Sequence, residues 1–391
     1  MASIYSVNAQ TISRIWHRGQ NSITDDNKCS NVSSRKKGNS GPKKQILDLS
    51  IIKDIPYNQR SNLRSLSFRT GFSTTTLWRR LQEGEMVRHT SFLRPYLTEK
   101  NRMVRLDYCL EMIDSDEPRF KDMMDYIHID EKWFNLTTKS KKYYLLPSEE
   151  KPYRACKSTK FITKVMFLAA VARPRWNHSK NQWFDGKLGI WPFVEEVPAQ
   201  RDSKNRQKGT LETKCVNVDR NTYKAFLIEK LLPAIVEKWP RNRSNSTIKI
   251  QQDNAKPHIA TGDLEFLEAV RCTGLDITLV SQPPNSPDLN VLDLGFFHSI
   301  QTLQYQKPGK NVDELISNTI EAFDELDKKT LNAVFLTLQQ CMTEVIKIRG
   351  GNKYKLPHMG KAKLERKGLL PECLSIDINI LREIMDSIKI E

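Results

Sequence analysis

Apolar positions recur along the chain with two different periods, and the switch between them divides it. Near the N terminus, Ile12, Ile15 and Trp16 follow Asn8 at helical spacing, so a helix capped by Asn8 and starting at Ala9 is expected. Leu63, Leu66 and Phe68 form a second amphipathic stretch; Gly71 then supplies a turn, and Ser73 can cap a third helix over 74–81. Helix, glycine turn and a helix carrying Arg79 and Arg80 is the helix-turn-helix layout, whose second helix lies in the major groove. An ordinary pair of packed helices with a solvated arginine face has the same pattern. A basic helix over 96–112 closes this region.

Beyond it the period shortens to two. Strands are expected at 126–134 (YIHIDEKWF), 142–146 and 161–172 (FITKVMFLAAVA), in meander order, followed by an amphipathic helix at 223–238. Further strands at 247–252 and 277–280 precede a turn rich in proline, Pro283 to Pro287, and a helix over 291–304. From Val312 onward the pattern is helical, broken at Gly350-Gly351 and by a basic loop through 361–367. Strands first, then alternating helices and strands, predict a mixed α/β sheet behind an all-helical N-terminal region. Between the helical segments, 21–50 is rich in Ser, Asn, Gly and Lys and reads as an extended linker with two basic clusters, Arg35-Lys36-Lys37 and Lys43-Lys44. The domains expected are thus 1–20, the linker, 51–118 and 119–391.

Length and composition narrow the classes. A chain of 391 residues has room for two or three domains with real cores. Its longest apolar run, 165–172, is only strand length, and the first twenty residues carry Arg14, His17 and Arg18 where a signal peptide would be apolar. Membrane spanning and secretion are therefore not expected. Seven scattered cysteines without a CxxC pair suit reduced thiols in the cytosol or nucleus, not structural zinc. Charge is more pointed: Lys and Arg number 62 against 46 Asp and Glu, a net +16. Residues 1–105 hold 19 basic and 7 acidic side chains, so +12 sits in that part and only +4 in the rest. A positive field concentrated at one end is the footprint of a polyanion binder, most often of nucleic acid, although a merely soluble basic protein shares the composition.

Three aspartates carry the candidate chemistry. Asp130 falls at the end of the first strand (HIDEKWF), Asp253 at the end of the later one (IKIQQDNAKPH), and Asp293 at the start of the helix after the proline turn. Any one of them alone reads as a turn or cap residue. Three carboxylates converging on one sheet edge are what a pair of Mg²⁺ ions needs, because hard cations take oxygen ligands. Two such ions clamp the attacking and leaving oxygens of an in-line phosphoryl displacement, with no covalent protein nucleophile.

HIDEKWF, QQDNAKPH and NSPDLNVLDLGFF, in that order, closely resemble the catalytic motifs of plant mariner-like element transposases, of the mariner superfamily; YYLLP, FITKVMFLAAVARPR, GIWPFV and TLETK between them fit the same family. The 39 residues between Asp253 and Asp293 match the spacing of the plant branch. The resemblance covers nearly the whole chain. It implies an RNase H-like catalytic domain whose triad is Asp130, Asp253 and Asp293, holding two Mg²⁺ or Mn²⁺ ions, and paired helix-turn-helix motifs that bind terminal inverted repeats. Asp288 matches the family's structural aspartate. Glu131, Asn254 and His258 adjoin the triad, either hydrogen-bonding its ligands and the scissile phosphate or orienting the strand ends; Trp133, Phe134, Phe296 and Phe297 read as core. Residues 1–20 read as the remnant of a first helix-turn-helix, with Ile12, Ile15 and Trp16 left uncovered. The implied DNA contacts are Gln10, Arg14 and Arg18, the basic linker (Arg35, Lys36, Lys37, Lys43, Lys44), which resembles a minor-groove hook or a nuclear import signal, and Thr74, Thr75, Arg79 and Arg80. The activity implied is nuclear cut-and-paste transposition at TA targets by a homodimer; the alternative is a catalytically silent, transposase-derived DNA-binding protein or truncated remnant.

Overall fold

The computed structural model of the chain describes residues 2–23, 32–33, 46–90, 93–156, 158–203, 206–240 and 246–388. It divides into two compact units, Met1–Phe92 and Leu93–Glu391. In the first, α1 (Ala9–Gln20) begins as expected, with the Asn8 side chain accepting from the Gln10 backbone N–H at 2.9 Å. Its apolar side is open: Ile15 and Trp16 are exposed. Helix α2 (Leu63–Thr70) ends at Gly71, whose φ of +73° lets its N–H reach the Ser67 carbonyl at 2.9 Å. Ser73 then caps α3 (Thr74–Gln82), and Leu66 and Leu77 are buried between the two helices.

The second unit opens with α4 (Glu99–Glu111), the helix expected to connect the helix-turn-helix region to the sheet, which packs on the long C-terminal helix α10 (Lys328–Lys347). Its five-stranded sheet combines β1 (Tyr126–Asn135), β2 (Lys164–Ala172), β5 (Lys187–Pro192), β8 (Ile248–Gln252) and β9 (Ile277–Ser281) in the order β5-β2-β1-β8-β9. Two edges differ in kind: β1, β2 and β5 pair antiparallel, whereas β8 and β9 run parallel to β1. Short hairpins, β3 (Arg175–Asn177) with β4 (Gln182–Phe184) and β6 (Val194–Pro198) with β7 (Leu211–Cys215), flank the sheet. Helices cover both faces. One layer holds α4, α8 (Phe297–Gln304), α9 (Val312–Glu325) and α10; the other holds α5 (Arg220–Phe226), α6 (Leu232–Lys238) and α7 (Leu264–Thr273). Strand β2 is buried on both sides, Val165, Phe167, Ala169 and Val171 to the first layer and Leu168, Ala170 and Ala172 to the second, which is why it reads as an unbroken apolar run.

The expected strand at 142–146 is not formed, and Tyr144 there is 102% exposed. The place beside β1 that meander order gave this segment is taken by β2, which pairs with β1 from Ile127 to Asn135. Trp133 also departs from its assignment: Phe134, Phe296 and Phe297 are core, but Trp133 is 38% exposed with the Lys164 ammonium 4.2 Å from its ring centre. The six described cysteines are all free, and no helix among the described residues is long and apolar enough to cross a membrane.

Candidate active site

Register decides where the aspartates stand. Strand β1 pairs with β8 only through Tyr126, Ile127 and His128, so its β8-facing edge opens from Ile129 onward. Asp130 therefore lies in mid-strand, paired across to Ala169 of β2, and not at the strand end expected from the sequence. It occupies the point where the parallel ladder stops. Asp253 follows the last residue of β8. Asp293 lies in a π-helical turn, Leu292–Phe296, that breaks helical geometry at Gly295 and continues into α8; such turns re-aim a side chain.

Buried amides tie these pieces together. Gln251 accepts from the Tyr108 hydroxyl at 2.6 Å and donates to the Leu289 carbonyl at 3.1 Å, joining β8 to α4 and to the proline turn. Gln252 accepts from Tyr223 at 3.1 Å and donates to Ile259 at 2.7 Å. Asn254 donates to the Gln282 carbonyl at 2.7 Å, and Gln282 donates to Ser286. Asn290, buried, donates to Asp130 Oδ2 at 2.9 Å, while the other Asp130 oxygen accepts from the Glu131 N–H at 2.7 Å. Sequence reasoning passed over Asn290, Gln282 and Tyr223; only the spacing of Asn290 from Asp293, within one turn, hinted at a shared site. Asp288 faces away from this group. It takes two 2.8 Å bonds from fully buried Arg105 and one of 2.5 Å from Tyr354.

Charge is crowded here. Burial, then the charges of Asp293, Glu131 and Asp253, push the Asp130 carboxyl up to about 8. Asp293 is also raised, by burial and by Asp253, against the opposing pull of Lys132. Asp253 is lowered, chiefly by its hydrogen bond from His258. His258 is the counterweight: Nδ1 lies 2.8 Å from Asp253 Oδ1, Nε2 lies 3.0 Å from Glu131 Oε2, and the ring stacks on Tyr223 at 4.2 Å. Burial alone would lower its pKa, but the two carboxylates outweigh it and raise it to about 10.

Asp130, Asp253, Asp293 and Glu131 offer carboxylate oxygens, the donors a hard divalent cation takes. Glu131 Oε1 is buried with no hydrogen-bond partner among the described residues, and burial and like charges disfavour the Asp130 carboxylate, so four carboxylates face only His258 and Lys132 as counter-charges. A divalent cation fits that deficit. Among the described residues no three such side chains close into a ligand cage, because Asp130 and Asp253 each point oxygens at hydrogen-bond donors.

The DNA-contact candidates separate by exposure. Gln10 and Arg14 on α1, and Thr74, Thr75 and Arg79 on α3, are exposed. Arg18 is half-buried and donates to the Ser33 carbonyl at 3.0 Å. Arg80 is not available to a ligand, being 4% exposed and paired with Glu83 at 2.9 Å and Glu85 at 3.3 Å; one residue past Arg79, it falls on the face that packs inward. Arg35, Lys36, Lys37, Lys43 and Lys44 lie outside the described residues.

No protein-family model and no curated protein matches the sequence. Solved structures do. A pre-cleavage Mos1 transpososome is matched at 17% identity and a TM-score of 0.55 over 89% of each chain. The Mos1 mariner paired-end complex with Mn is matched at 18% and 0.54, over 89% of this chain and 90% of that one. The paired-end complex with Mg is matched at 17% and 0.52, over 89% and 90%. At such identities the likeness speaks for architecture, and the chain shares with the Mos1 mariner transposase its RNase H-like mixed sheet flanked by helices.

Proposed function

We propose that this protein is a cut-and-paste DNA transposase of the mariner type, akin to the plant mariner-like elements whose motifs its sequence resembles. The observation that carries this reading is the meeting of Asp130, Asp253 and Asp293, from three distant segments, at the open end of the β1–β8 ladder, where each of Asp130 and Asp293 feels its neighbours' charge. Chains of the same fold are known in Mos1 paired-end complexes with Mn and with Mg, which supports DNA as substrate, a homodimer as the working unit and Mg²⁺ or Mn²⁺ as cofactor.

Asp130, Asp253 and Asp293 would hold two cations, which when bound make water a nucleophile at neutral pH and neutralise charge on the phosphate. The displacement itself is simple. A water oxygen, or in transfer a freed 3′-hydroxyl oxygen, forms a new P–O bond as the P–O bond to the leaving strand breaks; the nucleophile's proton goes to solvent and the leaving oxygen takes one up. The chain's own residues prepare for this. Asn290 fixes one oxygen of Asp130, and His258 holds Asp253 and Glu131 together, so the rotamers are set before DNA arrives. Lys132, whose charge acts on Asp293, offers a cation where the phosphate must approach. On the DNA-binding side, the exposed Thr74, Thr75 and Arg79 of α3 read terminal repeats, with Gln10, Arg14, Arg18 and the basic linker adding phosphate and minor-groove contacts. TA targets and a nuclear location complete the reading.

The test is strand cleavage by purified protein on duplexes carrying the element's ends, with Mg²⁺ or Mn²⁺. Asn at Asp130, Asp253 or Asp293 is expected to abolish cleavage while DNA binding persists, and two such changes together are expected to cost no more than one. A parent protein that binds these ends but never cuts them in either metal would leave a DNA-binding regulator in place of an enzyme.

A further inference from the structure

Past Asp130, β1 runs on for five more residues, and at its far end lies a pocket of about 570 Å³. Its walls come from three places: Asn135 to Lys139 beyond β1, Lys160 and Lys164 at the entry to β2, and Tyr305 after α8. Three lysines line it and no acidic residue does. None of Lys139, Lys160 and Lys164 has a carboxylate within ion-pair distance among the described residues. Arg154 adds a fourth cation at the rim, donating to the Thr138 carbonyl at 2.8 Å. Thr137, Thr138, Asn135 and the Tyr305 hydroxyl supply neutral polar groups between the charges. Elsewhere in this unit such charges can be met by carboxylates, as for Lys224 with Asp263 and Glu265 and for Lys307 with Glu321 and Glu325.

Unpaired lysines gathered around one polar hollow cost self-repulsion unless an anion joins them. From this placement we infer that the pocket binds the phosphodiester backbone of duplex DNA flanking the cleaved bond, an inference that rests on the transposase reading for the identity of the anion. Lys132, whose charge acts on Asp293, lies along β1 between the pocket and the site. Strand geometry sets the distance. Five residues at ~3.3 Å each put the pocket ~17 Å from Asp130, and at a rise of ~3.4 Å per nucleotide that is ~5 base pairs from the scissile phosphate. Lysines set on backbone phosphates contact charge and not base edges, so the grip expected is without regard to sequence.

The experiment compares the full-length parent with the triple variant Lys139→Gln, Lys160→Gln, Lys164→Gln, and with the charge-keeping triple arginine variant as a folding control. Affinity is measured in metal-free buffer for duplexes that end ~2 or ~8 base pairs beyond the cleavage point. For the parent and the arginine variant, the longer flank is expected to bind more tightly; for the glutamine variant the two lengths should bind alike. Each lost phosphate contact removes ~0.9 from the slope of log affinity against log salt, so three contacts make the parent's affinity loss between 50 and 200 mM salt ~40-fold larger than the variant's. A glutamine variant with the parent's flank dependence and salt slope overturns the pocket, whether or not the protein cuts DNA. A parent that never cuts, but whose flank affinity depends on these lysines, overturns the enzyme reading and leaves the pocket standing.

Discussion

Asp288→Asn changes one oxygen to nitrogen and removes one charge, five residues before Asp293. In the structure that charge serves Arg105, which is fully buried and has four hydrogen bonds: two of 2.8 Å to Asp288 and single bonds of 2.9 and 3.2 Å to the carbonyls of Gly350 and Gly351. Among the described residues, Asp288 is the carboxylate on the Arg105 guanidinium. Removing one partner of a buried pair costs about 3–5 kcal/mol, because the other charge stays buried. The Asp288 side chain is 24% exposed, which favours the lower end, about 3 kcal/mol. At an unfolding entropy of ~2.1 cal/mol/K per residue, the 299 residues of the larger unit give ~0.6 kcal/mol/K, so Tm should fall by ~5 °C. Calorimetry of the full chain measures it. Cleavage of end duplexes at 20 °C, per folded molecule, should fall less than tenfold. Asp293→Asn should behave in the opposite way, losing cleavage while melting at or above the parent's temperature, since burial and Asp253 already disfavour its charge. An Asp288→Asn protein that melts and binds DNA like the parent yet does not cut would move the third ligand from Asp293 to Asp288 and refute this assignment.

Three further outcomes follow from charges placed by the fold. Asp130 has a folded-state pKa of about 8 against an ordinary 3.8, so the folded state holds its proton longer and metal-free stability should decline as pH rises between those values; Mg²⁺ or Mn²⁺ should therefore raise Tm more at pH 8.5 than at pH 6, and Asp130→Asn should flatten both trends, an outcome read by thermal melts across pH. His128 is buried between Tyr126 and Phe335 with neither ring nitrogen partnered among the described residues, and burial lowers its pKa to about 3. The unfolded state binds its proton first, so stability should fall as pH drops from 6.5 towards 3, and His128→Phe should remove that part of the loss; unchanged acid sensitivity would show that His128 does not contribute. On α3, Arg79→Ala should weaken binding to the specific duplex by ~1–3 kcal/mol if the side chain reads a guanine edge, whereas Arg80→Ala should lower the melting temperature of the N-terminal unit by breaking its pairs with Glu83 and Glu85. Equal losses on specific and random duplexes would make Arg79 a phosphate contact.

What was legible in the sequence was what local pattern determines. The helix caps at Asn8 and Ser73, the glycine turn at Gly71 and the doubly buried run of β2 each follow from a few adjacent residues, and each stands where it was expected. The candidate triad was found by motif, and its position at one sheet end required only that 126–134 and 247–252 be neighbours in the sheet. Pairing range was not legible. That β8 leaves β1 after His128 cannot be read from either strand alone, so Asp130 was placed at a strand end when it sits in the middle of a longer strand, where only the β8-facing edge is unpaired. Nor could alternation show that β2, and not 142–146, would pair with β1 from Ile127 to Asn135. Arg79 and Arg80 differ by one position on a helix, and only the packing of Leu77 against α2 settles which of them points inward.

The triad's geometry is set by its neighbours more than by the aspartates, which repel one another. An apolar joint between the ends of β8 and β9 and the proline turn would have been at least as stable as the polar one observed. It would also have tolerated slippage. A shift of one residue in β8 would turn Asp253 to the opposite face and exchange Gln251 with Gln252. Each of those amides has a donor and an acceptor matched to a different partner, Tyr108 and Leu289 for one, Tyr223 and Ile259 for the other, so the shifted register leaves buried groups unpaired. Asn290 extends the same constraint across to Asp130, and Asp288 fixes the turn that carries Asn290 by its bonds to Arg105. At Gly350 an added Cβ would collide with the Arg102 backbone, so α4 is seated close enough for Arg105 to reach both the glycine carbonyls and Asp288. Repulsive carboxylates can then be held near one another in the absence of cation, because the energy that holds them is spread over amides and a buried ion pair.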